Sequence, residues 1–345
     1  MNSRELLNRS LVKFSRLNNY KFAALVSFLV LLKTGVHPIG TEWIDWLYSA
    51  SRTFPESQNY FIGSPLPIFI ARVLDFPSYT FWWFFHAVLY VLIMINLVKR
   101  LNSLYNSNFR KIFILIITTQ LIVSPILYLG HYDLYTIGAA TVAFSTRNKF
   151  LIFACSLVAS LANPEQALVT SFCLYFVYLG FKLEFYKLIF IIWFSCSAFT
   201  VVFVQLFIVD NGSMSRASII QAQLPNVLLN SFGVFNLIFF SLFGVFWIWV
   251  ILFFYKINSV NLLMGVVLMP LILSIVILDH TRVGVAVGAL PLLLVMDYAV
   301  KNRDFLRIND KIFYFYFIFY YFVPQIFLDF DLTIRLPYQE LIRFF

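Results

Sequence analysis

The stretch that decides the fold is Tyr79–Val98, YTFWWFFHAVLYVLIMINLV, followed at once by Lys99-Arg100. Twenty residues pass without a single formal charge. At 1.5 Å rise per residue they are long enough to cross the roughly 30 Å hydrocarbon core of a bilayer as one helix. The basic pair then stops the run, as expected where a helix leaves lipid on the cytoplasmic side.

The rest of the chain repeats this pattern. Of 345 residues, 61% are hydrophobic, 20% aromatic and 12% charged, with 42 phenylalanines and a mean hydropathy of +0.85. Soluble domains carry about 25% charged residues, so a soluble enzyme of this composition would expose an insoluble surface. The net charge of +9 is scattered among apolar segments, which excludes nucleic-acid binding as the main role. The expected class is all-α: a polytopic transmembrane helix bundle forming one integral membrane domain over 1–345.

A ruler of about 20 apolar residues gives about eleven spans, at 22–39, 79–98, 112–130, 134–146, 150–162, 165–181, 188–209, 233–255, 260–278, 283–300 and 312–328. Residues 1–21 form a basic N-terminal segment without a small-residue cleavage site, read as retained rather than removed. Eighteen of the 25 basic residues fall in one alternate set of loops, among them Arg9, Lys99, Arg100, Arg110, Arg147, Lys187, Lys256 and Lys301. The positive-inside rule then predicts a cytoplasmic N-terminus and, after an odd number of crossings, an outer C-terminus. Cys155, Cys173 and Cys196 lie inside apolar runs and read as small core residues, with neither a disulfide frame nor metal-ligand spacing.

Eleven of the sixteen acids, and all four histidines, fall at the opposite, outer ends. Four places gather them. The long first outer loop, 40–78, carries Glu42 and Asp45 on a stretch, Trp43–Phe54, with apolar residues at helical spacing. That suits a helix lying in the membrane interface, its carboxylates either solvated or aimed into a cavity. Gly130-His131-Tyr132-Asp133 holds an Asp and a His at the membrane edge with almost no loop, where ionisable groups mark function by default; the alternative is a helix cap by Asp133. Asn163-Pro164-Glu165-Gln166 is a second tight turn, readable as ordinary helix-start chemistry. Asp279-His280-Thr281-Arg282 places a guanidinium at the outer boundary, suited to a phosphate or carboxylate, or else to an ion pair with Asp279 or another outer acid. Short turns make consecutive spans neighbours, so the last three places are expected to converge. The outer loop 210–232, polar and with Asn211-Gly212-Ser213 as a formal glycosylation sequon, reads as a lid or a plain connector.

In this order and on this side, the four motifs resemble those of GT-C superfamily membrane glycosyltransferases that use polyprenyl-phosphate sugars, particularly the mannosyltransferase-like members. Their counterparts are a first outer loop with a carboxylate, a Gly-x-x-Asp turn, a Lys-Pro-Gln-Ala-Leu-like string matched by Asn163–Leu168, and a late His-Glu-Arg-Tyr-like segment matched by Asp279–Arg282. The chain departs by having Glu165 near the family's Lys position and no tyrosine after Arg282. The resemblance implies a polyprenyl-phosphate sugar donor, a glycan, lipid or protein acceptor, and inversion at the anomeric carbon. Asp45 would be the base, with Glu42 as its alternate. His280 and Arg282 would hold the donor phosphate. His131, Asp133, Glu165 and Asp279 would position sugar or acceptor hydroxyls. No cofactor and no resident metal are expected, with a divalent ion left open. The absence of a Gly-rich phosphate loop fits a lipid-linked donor rather than a nucleotide sugar. Residue usage hints at an AT-rich genome and a bacterial inner membrane, with the site facing the periplasm. The rivals are a transporter or flippase for a lipid-linked or small polar solute, which calls for broken helices or ionisable groups at mid-membrane, and a non-catalytic membrane subunit.

Overall fold

The structure is a computed structural model that describes residues 17–57, 63–75, 78–210, 216–276, 280–302, 310–328 and 332–335. It is all-helical apart from two short two-stranded pairings. In chain order the helices are α1 (Asn19–Thr34), α2 (Thr41–Thr53), α3 (Pro65–Leu74), α4 (Tyr79–Tyr105), α5 (Phe109–Ile117), α6 (Gln120–Leu127), α7 (Asp133–Phe144), α8 (Lys149–Ala162), α9 (Pro164–Phe181), α10 (Glu184–Phe207), α11 (Arg216–Gly233), α12 (Phe235–Phe243), α13 (Trp247–Ile257), α14 (Val260–Leu263), α15 (Met269–Val276), α16 (His280–Asn302) and α17 (Asp310–Phe322). The strands are β1 (Glu56–Ser57), parallel to β2 (Val209–Asp210), and β3 (Gln325–Leu328), antiparallel to β4 (Leu332–Arg335).

Among the described residues, four helical segments are long and apolar enough to cross a membrane: Tyr79–Ile117, Glu184–Phe207, Phe235–Ile257 and Thr281–Lys301. The last is the one most enclosed by the rest of the protein. Its small residues allow this: ideal Cβ atoms at Gly284 and Gly288 would run into Ser274 and Pro270 of α15, so α15 and α16 lie in close contact. Local starts follow side-chain capping. Asn18, Ser78 and Asn148 each accept a hydrogen bond from a first-turn amide, opening α1, α4 and α8.

Several expected spans take a different form. The third, 112–130, is two helices, α5 and α6. At the break, Thr118 Oγ1 donates to the Ile114 carbonyl (2.8 Å) and Thr119 Oγ1 to the Ile116 carbonyl (2.5 Å). The two hydroxyls add a second bond to carbonyls at the end of α5 that also accept from the Thr118 and Thr119 amides (3.2 and 3.1 Å). The eighth is interrupted at Gly244–Phe246, a 3-10 turn entered through Gly244 at φ 53°, and the ninth carries a π-helical segment, Met264–Leu268, between α14 and α15. The fourth and fifth are helices of only 12 and 14 residues, roughly 18 and 21 Å long and shorter than the hydrocarbon core. The eleventh ends as a helix at Phe322. Pro324 has no amide to continue it, and residues 325–328 form β3 instead. The expected loop 210–232 contains α11. Its sequon, residues 211–213, lies outside the described residues.

Beneath α2 and α3 sits a core separate from that of the main bundle, formed by Ile44, Leu47, Ala50, Ile68, Ala71, Trp82, Tyr132, Tyr135 and Ala162. It fastens α2 and α3 to the turn before α7. That attachment positions the site.

Candidate functional site

The turn from α6 to α7 is built by backbone contacts. Ile39 N–H donates to the Leu129 carbonyl (2.9 Å) and Leu129 N–H to the His37 carbonyl (3.1 Å), so the segment after α1 pairs with this turn. Gly130 sits at φ 101°. A Cβ there would also lie 3.1–3.3 Å from Ile39 and Trp83 side-chain atoms, so both backbone conformation and space call for glycine. Trp82 Nε1 donates to the Gly130 carbonyl (2.9 Å) from α4. The next residues, His131 and Asp133, are thereby fixed in place.

Asp133 opens α7 without capping it; the N-cap residue is Tyr132, with no side-chain cap bond. Its carboxylate turns inward instead. Oδ2 lies 3.1 Å from His131 Nδ1 and 3.4 Å from Arg282 Nη1, and Oδ1 accepts a hydrogen bond from Asn163 Nδ2 (3.2 Å). Arg282 Nη1 is also 2.9 Å from His131 Nδ1 and in contact with its Nε2, and the guanidinium carbon lies 5.8 Å from the centre of the Tyr128 ring. Asp133, His131, Arg282 and Asn163 are each at most 5% exposed. Burial alone pushes the Asp133 carboxyl up. The charges of Arg282 and His131, with hydrogen bonds from His131 and Asn163, outweigh it and hold the group below its ordinary value.

The structure therefore brings together the tight turns before α7 and α9 and the start of α16. Of the residues read as functional, His131, Asp133 and Arg282 meet directly. Glu165 is exposed on the first turn of α9. His280 begins α16, its side chain outside the described residues, and Asp279 lies outside them altogether. Glu42 and Asp45 are on the exposed side of α2, where Asp45 accepts a hydrogen bond from the Tyr79 hydroxyl (2.8 Å). The α2 residue that reaches the cluster is Trp43, edge-on to His131 with ring centres 6.2 Å apart.

Sequence reading missed three participants. Asn163 read as the cap of α9, yet it makes no cap bond; its amide spans Asp133 Oδ1 and Thr136 Oγ1, both at 3.2 Å. Its place before a proline was the available signal, and it pointed to the wrong role. Thr136 lies one turn into α7, with nothing in the sequence to single it out. His86, fully buried, lies tilted against Trp82 with ring centres 4.3 Å apart and stands 3.0 Å from the Tyr135 hydroxyl, a second polar pair behind the turn.

Chemically, the cluster offers a guanidinium for an anion, an imidazole able to carry a proton, and a carboxylate with an amide as acceptor and donor for hydroxyls. Among the described residues no group of three or more His, Cys, Asp or Glu side chains assembles to hold a metal. No known protein family, curated protein or solved structure matches this chain.

Proposed function

We propose that the chain is a membrane glycosyltransferase moving a sugar from a polyprenyl-phosphate donor to an acceptor hydroxyl at the outer face of a bacterial inner membrane. In this reading it crosses about eleven times, with its N-terminus in the cytoplasm and its C-terminus outside. The observation that supports it is the burial of Arg282, His131, Asp133 and Asn163 at one end of three helices, beneath the helix whose outward side carries Glu42 and Asp45. Arg282, with His280, meets the donor phosphate, and Asp133, His131, Glu165 and Asp279 position hydroxyls. The base for the acceptor proton, as the acceptor oxygen attacks the anomeric carbon, is Asp45 or Glu42 by the resemblance. Both face away from the cluster in this structure, so α2 must turn to deliver either one. The anomeric C–O bond to phosphate breaks, and its electron pair leaves on the phosphate, where the guanidinium stabilises the growing charge.

The test is purified protein in proteoliposomes with polyprenyl-phosphate hexose, following release of polyprenyl phosphate. Turnover is expected in the wild type and lost in Arg282→Gln. Equal turnover in the wild type and in Glu42→Ala/Asp45→Ala would remove the assigned base. For topology, cysteines introduced at Glu42 and Lys301 should react with an impermeant maleimide in intact cells at the first position only; the three native cysteines are buried.

A second reading, transport of a lipid-linked or small polar solute, is favoured by the interrupted helices. Thr119, Gln120, Leu242, Phe243, Gly284 and Gly288 surround a cavity of about 10 Å³ between two of the breaks, room for one water-sized guest. Gln120 Oε1 is buried there without a hydrogen-bond partner. Discontinuous helices around a polar point are a transporter feature. Movement of labelled polyprenyl phosphate between leaflets, with no sugar transfer, would select this reading.

A further inference from the structure

The Arg282–Asp133 pair is built unlike a tight structural salt bridge. A guanidinium presents five N–H donors in a planar fork, and a carboxylate bound for stability usually meets it with two parallel bonds of about 2.7–2.9 Å. Here one edge of the fork, Nη1, stands 3.4 Å from a single oxygen, Oδ2, which His131 Nδ1 approaches more closely, at 3.1 Å. Meanwhile Oδ1 is held separately by Asn163, which is itself braced on Thr136. The carboxylate thus neutralises Arg282 by proximity, while its closer contacts run to His131 and to Asn163 at a different helix junction. Asn163 is only 1% exposed and gives Asp133 somewhere to remain if it lets Arg282 go.

We infer that Asp133 is a displaceable occupant of the Arg282 anion site: it holds the place that a phosphate monoester takes when ligand binds. This rests on the phosphate-binding role given to Arg282 above, and adds that the resting site is closed by the chain's own carboxylate. With Asp133 ionised in place, Arg282 and Asp133 sum to zero, so an incoming phosphate must outcompete an internal anion. A tetrahedral phosphate brings more acceptor oxygens than a carboxylate and can use both arms of the fork. Tyr128 and Trp43 border the site on its other sides, so the exchange takes place within aromatic walls.

The experiment is binding rather than catalysis, on the full-length protein in phosphatidylcholine nanodiscs. One arm adds inorganic phosphate; the other uses nanodiscs doped with a polyprenyl monophosphate. Asp133→Asn keeps the shape and the acceptor for Asn163 but removes the charge. It is expected to bind phosphate about tenfold more tightly than the wild type, within the usual range for a coupling of this kind, and the gain should vanish in Asp133→Asn/Arg282→Gln. Asp133→Ser, smaller and also uncharged, carries the same expectation. Tightening in the lipid arm alone assigns the site to a membrane lipid, and in both arms to phosphate generally; either supports the inference. Unchanged or weaker binding in folded variants overturns it. So does failure of both variants to fold, because Asp133 would then be a structural partner. Because no sugar is transferred in this assay, tightening without turnover would leave the inference standing and remove the glycosyltransferase reading, whereas turnover without tightening would do the reverse.

Discussion

Lys33 is the side chain whose burial has the clearest energetic consequence. It is 1% exposed, near the end of α1. Its ammonium donates to the Tyr320 carbonyl and stands 3.7 Å from the centre of the Tyr320 ring. Beside it, Gln325 Nε2 donates to the Tyr320 hydroxyl (2.8 Å), and Thr34 Oγ1 donates to Gln325 Oε1 (3.3 Å). Among the described residues no carboxylate pairs with Lys33. Removing an ammonium from water has an effective penalty of several kcal/mol, taken as about 5. A desolvated cation–π contact returns about 2 and a hydrogen bond from a charged donor about 2. The balance is roughly 1 kcal/mol against the lysine. Methionine removes the charge and fills a similar volume, so Lys33→Met is expected to stabilise the fold by about 1–3 kcal/mol, an upward shift in Tm of roughly 2–6 °C. Thermal unfolding in detergent, followed by tryptophan emission, measures it; Lys33→Arg, which keeps the charge and enlarges the side chain, should shift Tm downward. A fall in Tm for Lys33→Met would mean that the ammonium contributes more than its desolvation costs, and the accounting above would be refuted.

Other outcomes follow from the site and the packing. The Asp133 carboxyl is held below its ordinary value of 3.8, so its contribution to stability is present above that pH and is lost as pH falls through the lower folded value. The Tm difference between the wild type and Asp133→Asn should therefore be flat above about pH 5 and shrink below about pH 4; a difference that grows on acidification would contradict this sign. Gly265, in the π-helical segment Met264–Leu268, would place a Cβ 2.6 Å from the Cys173 backbone carbonyl oxygen, so Gly265→Ala should lower stability by about 1–3 kcal/mol. Gly233, with nothing within 4 Å of its added Cβ, should accept alanine within about 0.5 kcal/mol in the same unfolding assay.

What the sequence made legible was the placement of polarity. Charges so scarce stand out, and the tight turns at Gly130–Asp133 and Asn163–Gln166 force neighbouring helices together, which is why His131, Asp133 and Arg282 could be expected to meet. Direction was harder. Asp45 and Trp43 are two residues apart on one helix, and only the packing of Ile44, Leu47 and Ala50 decides that Trp43 turns toward the cluster while Asp45 turns out. The break between α5 and α6 leaves no glycine or proline to mark it. Two threonines stand at it, their hydroxyls bonded back to carbonyls of α5, and both are unremarkable inside an apolar run. Residues 325–328 are apolar enough to extend a span, and their pairing with 332–335 is a long-range choice that composition does not encode.

The enclosed position of α16 has a consequence for how the protein is made. This helix is synthesised after α7 and α9, against which it packs, and it brings Arg282 with it. Asp133 and Asn163 leave the ribosome about 120 residues or more ahead of that arginine, roughly 6–24 s at ordinary elongation rates. Through that interval the carboxylate is without its guanidinium, and the earlier helices must keep open the slot that α16 will fill. Biogenesis, more than the stability of the finished bundle, is then the stage at which substitutions along the Gly284–Gly288 face would first be felt.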